Sequence, residues 1–192
     1  MADAHALRTP LTDAAVSPLR CGDAVRLSGV IYTARDSAHR RMLDALQGGG
    51  ELPFDLHGQA IYYMGPSPAR EGRVIGAAGP TTSSRMDAFA PALYRAGLRA
   101  TIGKGQRSDA VRQAVAACRG LYLAAIGGAG ALLARRVQEV AVVAYADLGP
   151  EAVRRLVVDD LPLIVAIDSA GADLYARARR GWAGPPAGEA RP

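Results

Sequence analysis

Short apolar runs that alternate with helical segments constrain the fold of this chain more than any other feature. The run Val25 to Thr33 alternates apolar and polar residues as a strand does, and a helical pattern over 37–47 follows it and ends at three glycines. Further apolar runs predict strands at 61–64, 73–78, 100–102, 121–126, 140–145, 153–158 and 163–167, and helices are predicted over 86–96, 108–118 and 133–137. This alternation predicts one α/β domain with a largely parallel sheet.

The predicted domain covers residues 19–182. Residues 1–18 contain Pro10 and Pro18 without a sustained periodicity, so we expect an extended N-terminal segment there. The last residues, 183–192, read AGPPAGEARP and are predicted to form a flexible tail.

Composition excludes several classes of protein. The longest uncharged stretch, 121–134, is too short and too glycine-rich to cross a bilayer, and the N-terminus lacks a secretory signal pattern, so we expect a cytoplasmic protein that does not bind membranes. Basic residues are scattered without interleaved aromatics, which argues against nucleic acid as a partner. The two cysteines, Cys21 and Cys118, have no partner at metal-ligand spacing, so no metal site is predicted on this chain.

Lys104 is the single lysine among 23 basic residues. It lies between Gly103 and Gly105, in a turn after the predicted strand 100–102. Because a compact ammonium and a planar guanidinium are not interchangeable, a lone lysine in an arginine-rich chain indicates a functional position. The alternative is that Lys104 has no special role and is a lysine that happens to remain in a chain that otherwise uses arginine.

Two strand-to-helix junctions also carry candidate binding residues. Arg35 stands at the start of the helix predicted over 37–47, where a guanidinium beside free backbone N–H groups suits a carboxylate or phosphate. Its alternative is an ion pair with Asp36 or another acid. In the second junction, Thr81 and Arg85 are one helical turn apart and could contact one ligand.

The neighbouring polar residues have plainer interpretations. Thr82, Ser83 and Ser84 are expected to cap the helix that follows them. The Gly128-x-Gly130 pattern is a weak dinucleotide-binding signal and favours close packing instead. His39 lies near Arg35, where a structural role is the alternative to general acid catalysis. Two arginines, one lysine and a threonine therefore predict a pocket for a small dianion such as a dicarboxylate.

Five motifs together resemble a known family. They are TARDSAHRRM (33–42), GPTTSSRMD (79–87), IGKG (102–105), YLAAIGGAGAL (122–132) and AYADLGPEAV (144–153). In this order they resemble the beta subunit, equivalent to the C-terminal domain, of iron–sulfur-dependent class I fumarate hydratases and L(+)-tartrate dehydratases. The resemblance extends from about residue 25 to residue 175.

The resemblance implies a swivelling β/β/α domain that closes over an alpha subunit in a hetero-oligomer. The alpha subunit would carry a [4Fe–4S] cluster that this chain does not bind. The family's motifs place substrate carboxylate binding on Arg35, Arg85 and Lys104 and proton transfer on Thr81. The implied reaction is the reversible hydration of fumarate to malate. The alternatives are an L(+)-tartrate dehydratase beta subunit and a non-enzymatic anion-binding module.

Overall fold

A single sheet organises the computed structural model, which describes residues 4–181. Within those residues the sheet has seven strands: β1 (His5–Arg8), β2 (Ala24–Thr33), β3 (Ala60–Tyr62), β4 (Ala100–Gly103), β5 (Leu121–Ala124), β6 (Val137–Ala144) and β7 (Val153–Ile167). Their spatial order is β1-β2-β3-β4-β5-β7-β6.

The sheet closes on itself because β7 also pairs with β2. Strands β2, β3, β4 and β5 are parallel to one another, and β7 fills the gap between β5 and β2 by running antiparallel to both. Strand β1 lies parallel to the first half of β2, and β6 lies antiparallel to the first half of β7. The result is a five-stranded barrel with one further strand on each side.

The α/β class is confirmed, but the sheet is mixed parallel and antiparallel and is not clearly a largely parallel one. The runs 153–158 and 163–167, predicted as two strands, form the single strand β7. Asp160 has a left-handed φ of 56° inside it, and this irregularity breaks the period that marks one long strand. A 3₁₀ segment, and not a helical crossover, leads from β6 into β7, so these two strands can be antiparallel neighbours.

Helices cover the barrel, and their ends follow from local sequence. The described residues contain α1 (Asp13–Val16), α2 (Asp36–Gly48), α3 (Ala90–Arg95), α4 (Asp109–Ala117), α5 (Gly130–Ala134) and α6 (Leu174–Gly181), with 3₁₀ helices at Ser83–Met86 and Ala146–Glu151. Ser108 Oγ accepts the Val111 amide at the start of α4, as predicted, and Gly49 ends α2 with a left-handed φ of 69°. No helix in the described range is long and apolar enough to span a membrane.

The barrel interior is the main hydrophobic core. It is filled by fully buried side chains from every barrel strand, among them Leu27, Ile31, Tyr62, Ile102, Leu123 and Val165. A buried leucine or isoleucine contributes about 1.5–3 kcal/mol. A second core lies between α2 and the barrel, where Met42, Tyr63 and Met86 pack together. These two cores fix the edge of the sheet from which α2 begins.

Two segments differ from the sequence predictions. Residues 4–18, expected to be extended, include α1 as well as β1, and they bury Leu7, Leu11 and Val16 in the main core. Elements of four residues are too short to show a period. The strand predicted at 73–78 is absent from the described structure, which has bends at 74–76 and irregular backbone on either side of them. The predicted tail, 183–192, lies outside the described residues.

Candidate active site

Three parallel strands bring their carboxyl ends to one edge of the barrel. Arg35 follows β2, Tyr63 follows β3 and Lys104 follows β4. In parallel strands these ends lie side by side, and loops at this edge form the ligand sites of many α/β proteins. The edge therefore gathers residues that are far apart in the sequence.

Thr81 is fixed between two of these strand ends by its main chain. Its amide donates to the Tyr63 carbonyl at 2.7 Å, and its own carbonyl accepts the Lys104 amide at 3.3 Å. The Ser83 amide then donates to the Lys104 carbonyl at 2.9 Å. Residues 81–83 thus continue the sheet between the diverging ends of β3 and β4, which places Thr81 beside Lys104.

The two glycines around Lys104 have different structural reasons. A Cβ on Gly103 would collide with the Ser83 hydroxyl, and Gly105 has a left-handed φ of 82°. The lysine side chain lies against Gly127, where an added Cβ would sit 3.4 Å from Lys104 Cδ. Lys104 is exposed, and within residues 4–181 its ammonium has no hydrogen bond or ion pair.

Arg35 is the N-cap residue of α2 and is only 22% exposed in its side chain. Its Nη2 lies 3.1 Å from Glu151 Oε1, so the acid that pairs with it most closely is Glu151. Asp36 is also near, with Oδ2 at 3.9 Å from Arg35 Nε. Both of those atoms are buried and lack a hydrogen-bond partner in the described part of the chain. Arg35 Nε is thus shielded from a ligand, and only the exposed part of the guanidinium can contact one.

Arg85 connects the Thr81 segment to the start of α2. Its Nε donates to Asp36 Oδ1 at 2.7 Å, and its side chain is half exposed. The expected helical turn between Thr81 and Arg85 does not form, since the 3₁₀ helix begins at Ser83. The four predicted site residues therefore form two linked pairs at this edge, Thr81 with Lys104 through the main chain and Arg85 with Arg35 through Asp36.

The capping prediction for the hydroxyl residues is not supported at two positions. Thr82 is the N-cap residue of the 3₁₀ helix, yet its side chain makes no capping bond. Ser83 is fully buried and its hydroxyl lies 2.9 Å from the Tyr122 phenol. The close approach of β4 to this segment excludes a capping geometry for Ser83.

His39 is buried beneath the site and does not reach its surface. Its Nδ1 donates to the Arg35 carbonyl at 2.8 Å, and Nε2 is buried without a partner among the described residues. Burial lowers the pKa of His39 from 6.5 to about 4, so the imidazole is neutral at neutral pH. His39 thus supports the backbone of Arg35, and its geometry does not favour acid–base chemistry on a ligand.

Glu151 is a site residue that the sequence reasoning missed. It ends the 3₁₀ helix Ala146–Glu151, and its Oε2 accepts the Ser37 amide at 3.1 Å, so it binds both the first turn of α2 and Arg35. The motif AYADLGPEAV contained it, but the motif alone does not show which strand end it faces. A tertiary contact assigns the role.

The described residues offer no metal centre of their own. Nowhere within 4–181 do three or more His, Cys, Asp or Glu side chains converge to hold a metal ion. Cys21 is buried, which raises the pKa of its thiol, and Cys118 is partly buried in a different core. The residues present therefore do not fit an iron–sulfur cluster.

Gly130, part of the weak dinucleotide-binding pattern in the sequence, permits close packing, since a Cβ there would lie 3.0 Å from the Gly79 nitrogen.

The charges of the site favour an anion. The site has three cationic side chains, Arg35, Arg85 and Lys104, and two carboxylates, Asp36 and Glu151, which leaves one net positive charge. The unpaired Lys104 ammonium and the exposed parts of the Arg35 and Arg85 guanidiniums are the donors that a ligand can reach. Charge-assisted hydrogen bonds from such donors are the strong interactions that carboxylates and phosphates make.

Comparison with known proteins identifies the family of this chain. The family model described as Fumarase C-terminus matches residues 3–178. A putative L(+)-tartrate dehydratase subunit beta from Methanocaldococcus jannaschii is 42% identical over 171 residues, covering 86% of this chain and 88% of that protein. The Escherichia coli anaerobic class I fumarate hydratase is 36% identical over 151 residues, covering 78% of this chain and 28% of that enzyme.

Relatives named fumarate hydratase are much longer than this chain. A putative class I fumarate hydratase from Geobacillus stearothermophilus is 37% identical over 174 residues, which cover 88% of this chain and 33% of the relative. The chain thus spans about a third or less of the fumarate hydratases it matches and nearly all of the tartrate dehydratase subunit. From the matched residues and the identities, this chain belongs to the fumarase C-terminus family.

Proposed function

We propose that this chain is the beta subunit of a two-subunit hydro-lyase that hydrates fumarate reversibly to malate. In this proposal Arg35, Arg85 and Lys104 bind the substrate carboxylates and Thr81 transfers a proton. The observation that carries it is the unpaired, exposed Lys104 ammonium beside Thr81, at the sheet edge from which Arg35 also projects. The relatives named fumarate hydratase and tartrate dehydratase support it.

The cations divide the work of binding a dicarboxylate. Lys104 would contact one carboxylate as a compact ammonium, while Arg35, oriented by Glu151, would contact the other through the exposed part of its guanidinium. Arg85 holds Asp36 through its Nε, and the rest of its half-exposed guanidinium would join Arg35 in binding the second carboxylate. Preorganised cations at this edge stabilise the negative charge that develops on the carboxylate next to the reacting carbon.

Thr81 has a hydroxyl that makes no hydrogen bond with a described residue, since the bonds of Thr81 to Tyr63 and Lys104 use only main-chain atoms. Thr81 is partly exposed. A threonine hydroxyl is a poor base by itself, so a carboxylate from the partner subunit or from the substrate must assist the transfer. The fixed main chain of Thr81 provides the positioning that such a transfer needs.

An iron–sulfur cluster would belong to the partner, because the described residues supply no ligand set for one. When bound there, it would supply a Lewis acid for the oxygen that is added or removed. The residues of this chain would bind and orient the dicarboxylate and carry the proton at Thr81.

An apolar patch indicates where the alpha subunit would dock. Ile126 and Leu132 are each 63% exposed and Val74 is 47% exposed, and we call these three residues the apolar patch. Ile126 adjoins Gly127, against which Lys104 lies, so the patch borders the open site. A partner that covers the patch would also exclude water from the charged residues, which strengthens their interactions.

L(+)-tartrate is the second candidate substrate. It is favoured by the tartrate dehydratase relative, which this chain matches over nearly the whole length of both proteins. Both substrates are small dicarboxylates, so the three cations Arg35, Arg85 and Lys104 would suit either. A non-enzymatic anion-binding module is the remaining alternative.

Anaerobic reconstitution with the alpha subunit tests the proposal. The chain alone should be folded, colourless and inactive, and the assembled pair should hydrate fumarate or dehydrate malate or L-tartrate. Leu132→Asp should weaken assembly without unfolding the chain, with Arg26→Lys on β2 as the control. Anion binding without turnover in an assembled, cluster-loaded pair would support the module instead, and turnover by the isolated chain would contradict the subunit assignment.

A further inference from the structure

A buried arginine outside the predicted set lies directly below the site. The Arg107 side chain is completely buried. Its Nε donates to Asp87 Oδ1 at 2.7 Å, Nη1 to Thr101 Oγ1 at 3.1 Å and Nη2 to the Tyr63 hydroxyl at 3.3 Å. Burying a charge costs several kcal/mol unless it is paired and hydrogen-bonded, and Arg107 meets both conditions. A side chain held this firmly can fix the segments it touches.

The first link leads from Arg107 to the Lys104 loop. The guanidinium lies 5.0 Å from the centre of the Tyr122 ring, within the range of a cation–π interaction. The Tyr122 hydroxyl donates to the Gly105 carbonyl at 2.7 Å and lies 2.9 Å from Ser83 Oγ. Tyr122 therefore connects Arg107 to the residue after Lys104 and to the segment that holds Lys104.

The second link leads to Thr81. The guanidinium lies 5.2 Å from the centre of the Tyr63 ring and donates to its hydroxyl, while the Tyr63 carbonyl accepts the Thr81 amide. Asp87 adds a third link, since it follows the 3₁₀ helix that contains Arg85 and its Oδ2 accepts the Ser108 amide at 2.6 Å. One guanidinium thus contacts the supports of three site segments.

We infer that Arg107 is a positioning residue that fixes Thr81 and Lys104 relative to each other. The roles of those two residues rest on the proposed function, but the contacts of Arg107 do not. The planar fork of the guanidinium makes three directed bonds and lies against two rings, which an ammonium cannot reproduce. Since a misplacement of about 1 Å can cost about 100-fold in rate, this support bears directly on turnover.

Amide hydrogen exchange on the chain tests the inference without any activity. Arg107→Lys should speed exchange by about tenfold or more at Thr81, Ser83 and Lys104, whose amides bond across the site segments, and leave β2 unchanged. Arg99→Lys is the matched control. Arg99 precedes β4 at the opposite end of the barrel and bonds the Cys118 and Arg119 carbonyls, so its replacement should leave the three site amides unaffected.

A double-mutant cycle in the assembled enzyme gives the second readout. Arg107→Lys should lower kcat by about tenfold or more with a smaller change in KM, and it should add less than about threefold to the loss caused by Thr81→Ala, because both changes act through Thr81. Fully additive losses would contradict the inference. Should Arg107→Lys fold poorly, Tyr122→Phe removes only the hydroxyl and should still speed exchange at Ser83 and Lys104.

The outcomes separate this inference from the proposed function. Unchanged exchange at the three site amides, or equal acceleration throughout β2 and β7, would overturn the role of Arg107. Local acceleration in a chain whose wild-type assembly is inactive on fumarate, malate and tartrate would support the positioning role and contradict the proposed reaction.

Discussion

Glu151 binds both the Arg35 guanidinium and the backbone of the first turn of α2. One carboxylate oxygen lies 3.1 Å from Arg35 Nη2, and the other accepts the Ser37 amide at 3.1 Å. The guanidinium is thereby tied to the helix whose first turn presents it. Glu151 also compensates positive charge in the site. Replacing it therefore shows whether its carboxylate orients Arg35 for the substrate or competes with the substrate for Arg35.

Glu151→Gln should raise the KM for the dicarboxylate by roughly tenfold with a smaller effect on kcat, because Arg35 loses its fixed orientation. Steady-state kinetics of the assembled enzyme measure this. Glu139→Gln is the control, since Glu139 is an exposed residue on β6 that lies 3.6 Å from Arg155. A lower KM in Glu151→Gln would show that the carboxylate competes with the substrate.

Thr81→Ala should lower kcat by about 100-fold or more with a smaller change in KM, because a proton-transfer group acts mainly in the transition state. Thr82→Ala should do less, since Thr82 is exposed and makes no capping bond. Both variants keep the backbone hydrogen bonds of the segment, so their Tm should remain close to wild type. A Thr81→Ala enzyme with full turnover would contradict the catalytic assignment.

Lys104→Arg should lower kcat/KM by about 100-fold despite the conserved charge, because the longer planar group must find room beside Gly127. Arg26→Lys is the control, an arginine-to-lysine change away from the site. It should leave the kinetics unchanged, since Arg26 pairs with the exposed Asp160. Wild-type kinetics in Lys104→Arg would mean that Lys104 serves as an ordinary cation.

His39 should make the free energy of unfolding fall as the pH is lowered from about 6.5 to about 4. The unfolded chain binds a proton on His39 below 6.5, whereas burial lowers the folded pKa to about 4, so acid favours the unfolded state. The full effect is roughly 3 kcal/mol. Denaturant unfolding across this range measures it, and His39→Leu should flatten this part of the curve. An NMR titration of His39 with a midpoint near 6.5 would contradict the expectation.

Local sequence was sufficient to predict the ends of helices that depend on neighbouring residues in the chain. The cap at Ser108 and the glycine end of α2 were predicted because the residues that set them are adjacent in the chain. The four predicted site residues lie at one edge of the barrel because of the parallel strands. Arg35 and Lys104 follow such strands directly, and Thr81 and Arg85 bond to residues that follow them. Glu151 and Arg107 were missed because their partners come from distant segments, and nothing near them in the sequence marks those contacts.

The failed strand prediction at 73–78 has the same physical origin. Val74 and Ile75 are apolar, but a strand needs a neighbour, and Gly76 packs instead against residue 67 and the carbonyl of Pro68. The antiparallel pairing of β7 was not predicted, because the direction of a strand depends on the route of the connection that leads into it. The period of apolar residues in a sequence indicates which face of a strand is buried, but it does not indicate whether the strand is parallel or antiparallel to its neighbours.

Closure by β7 also sets when the site can exist during synthesis. Strands β2 to β5, which provide its scaffold, are all made before residue 125, yet they have two open edges until residues 153–167 pair with both. Pairing between segments so distant in sequence is intrinsically slow. On the ribosome, the binding edge therefore becomes rigid only after the late strand has emerged, and a partner that recognises this edge meets a finished barrel.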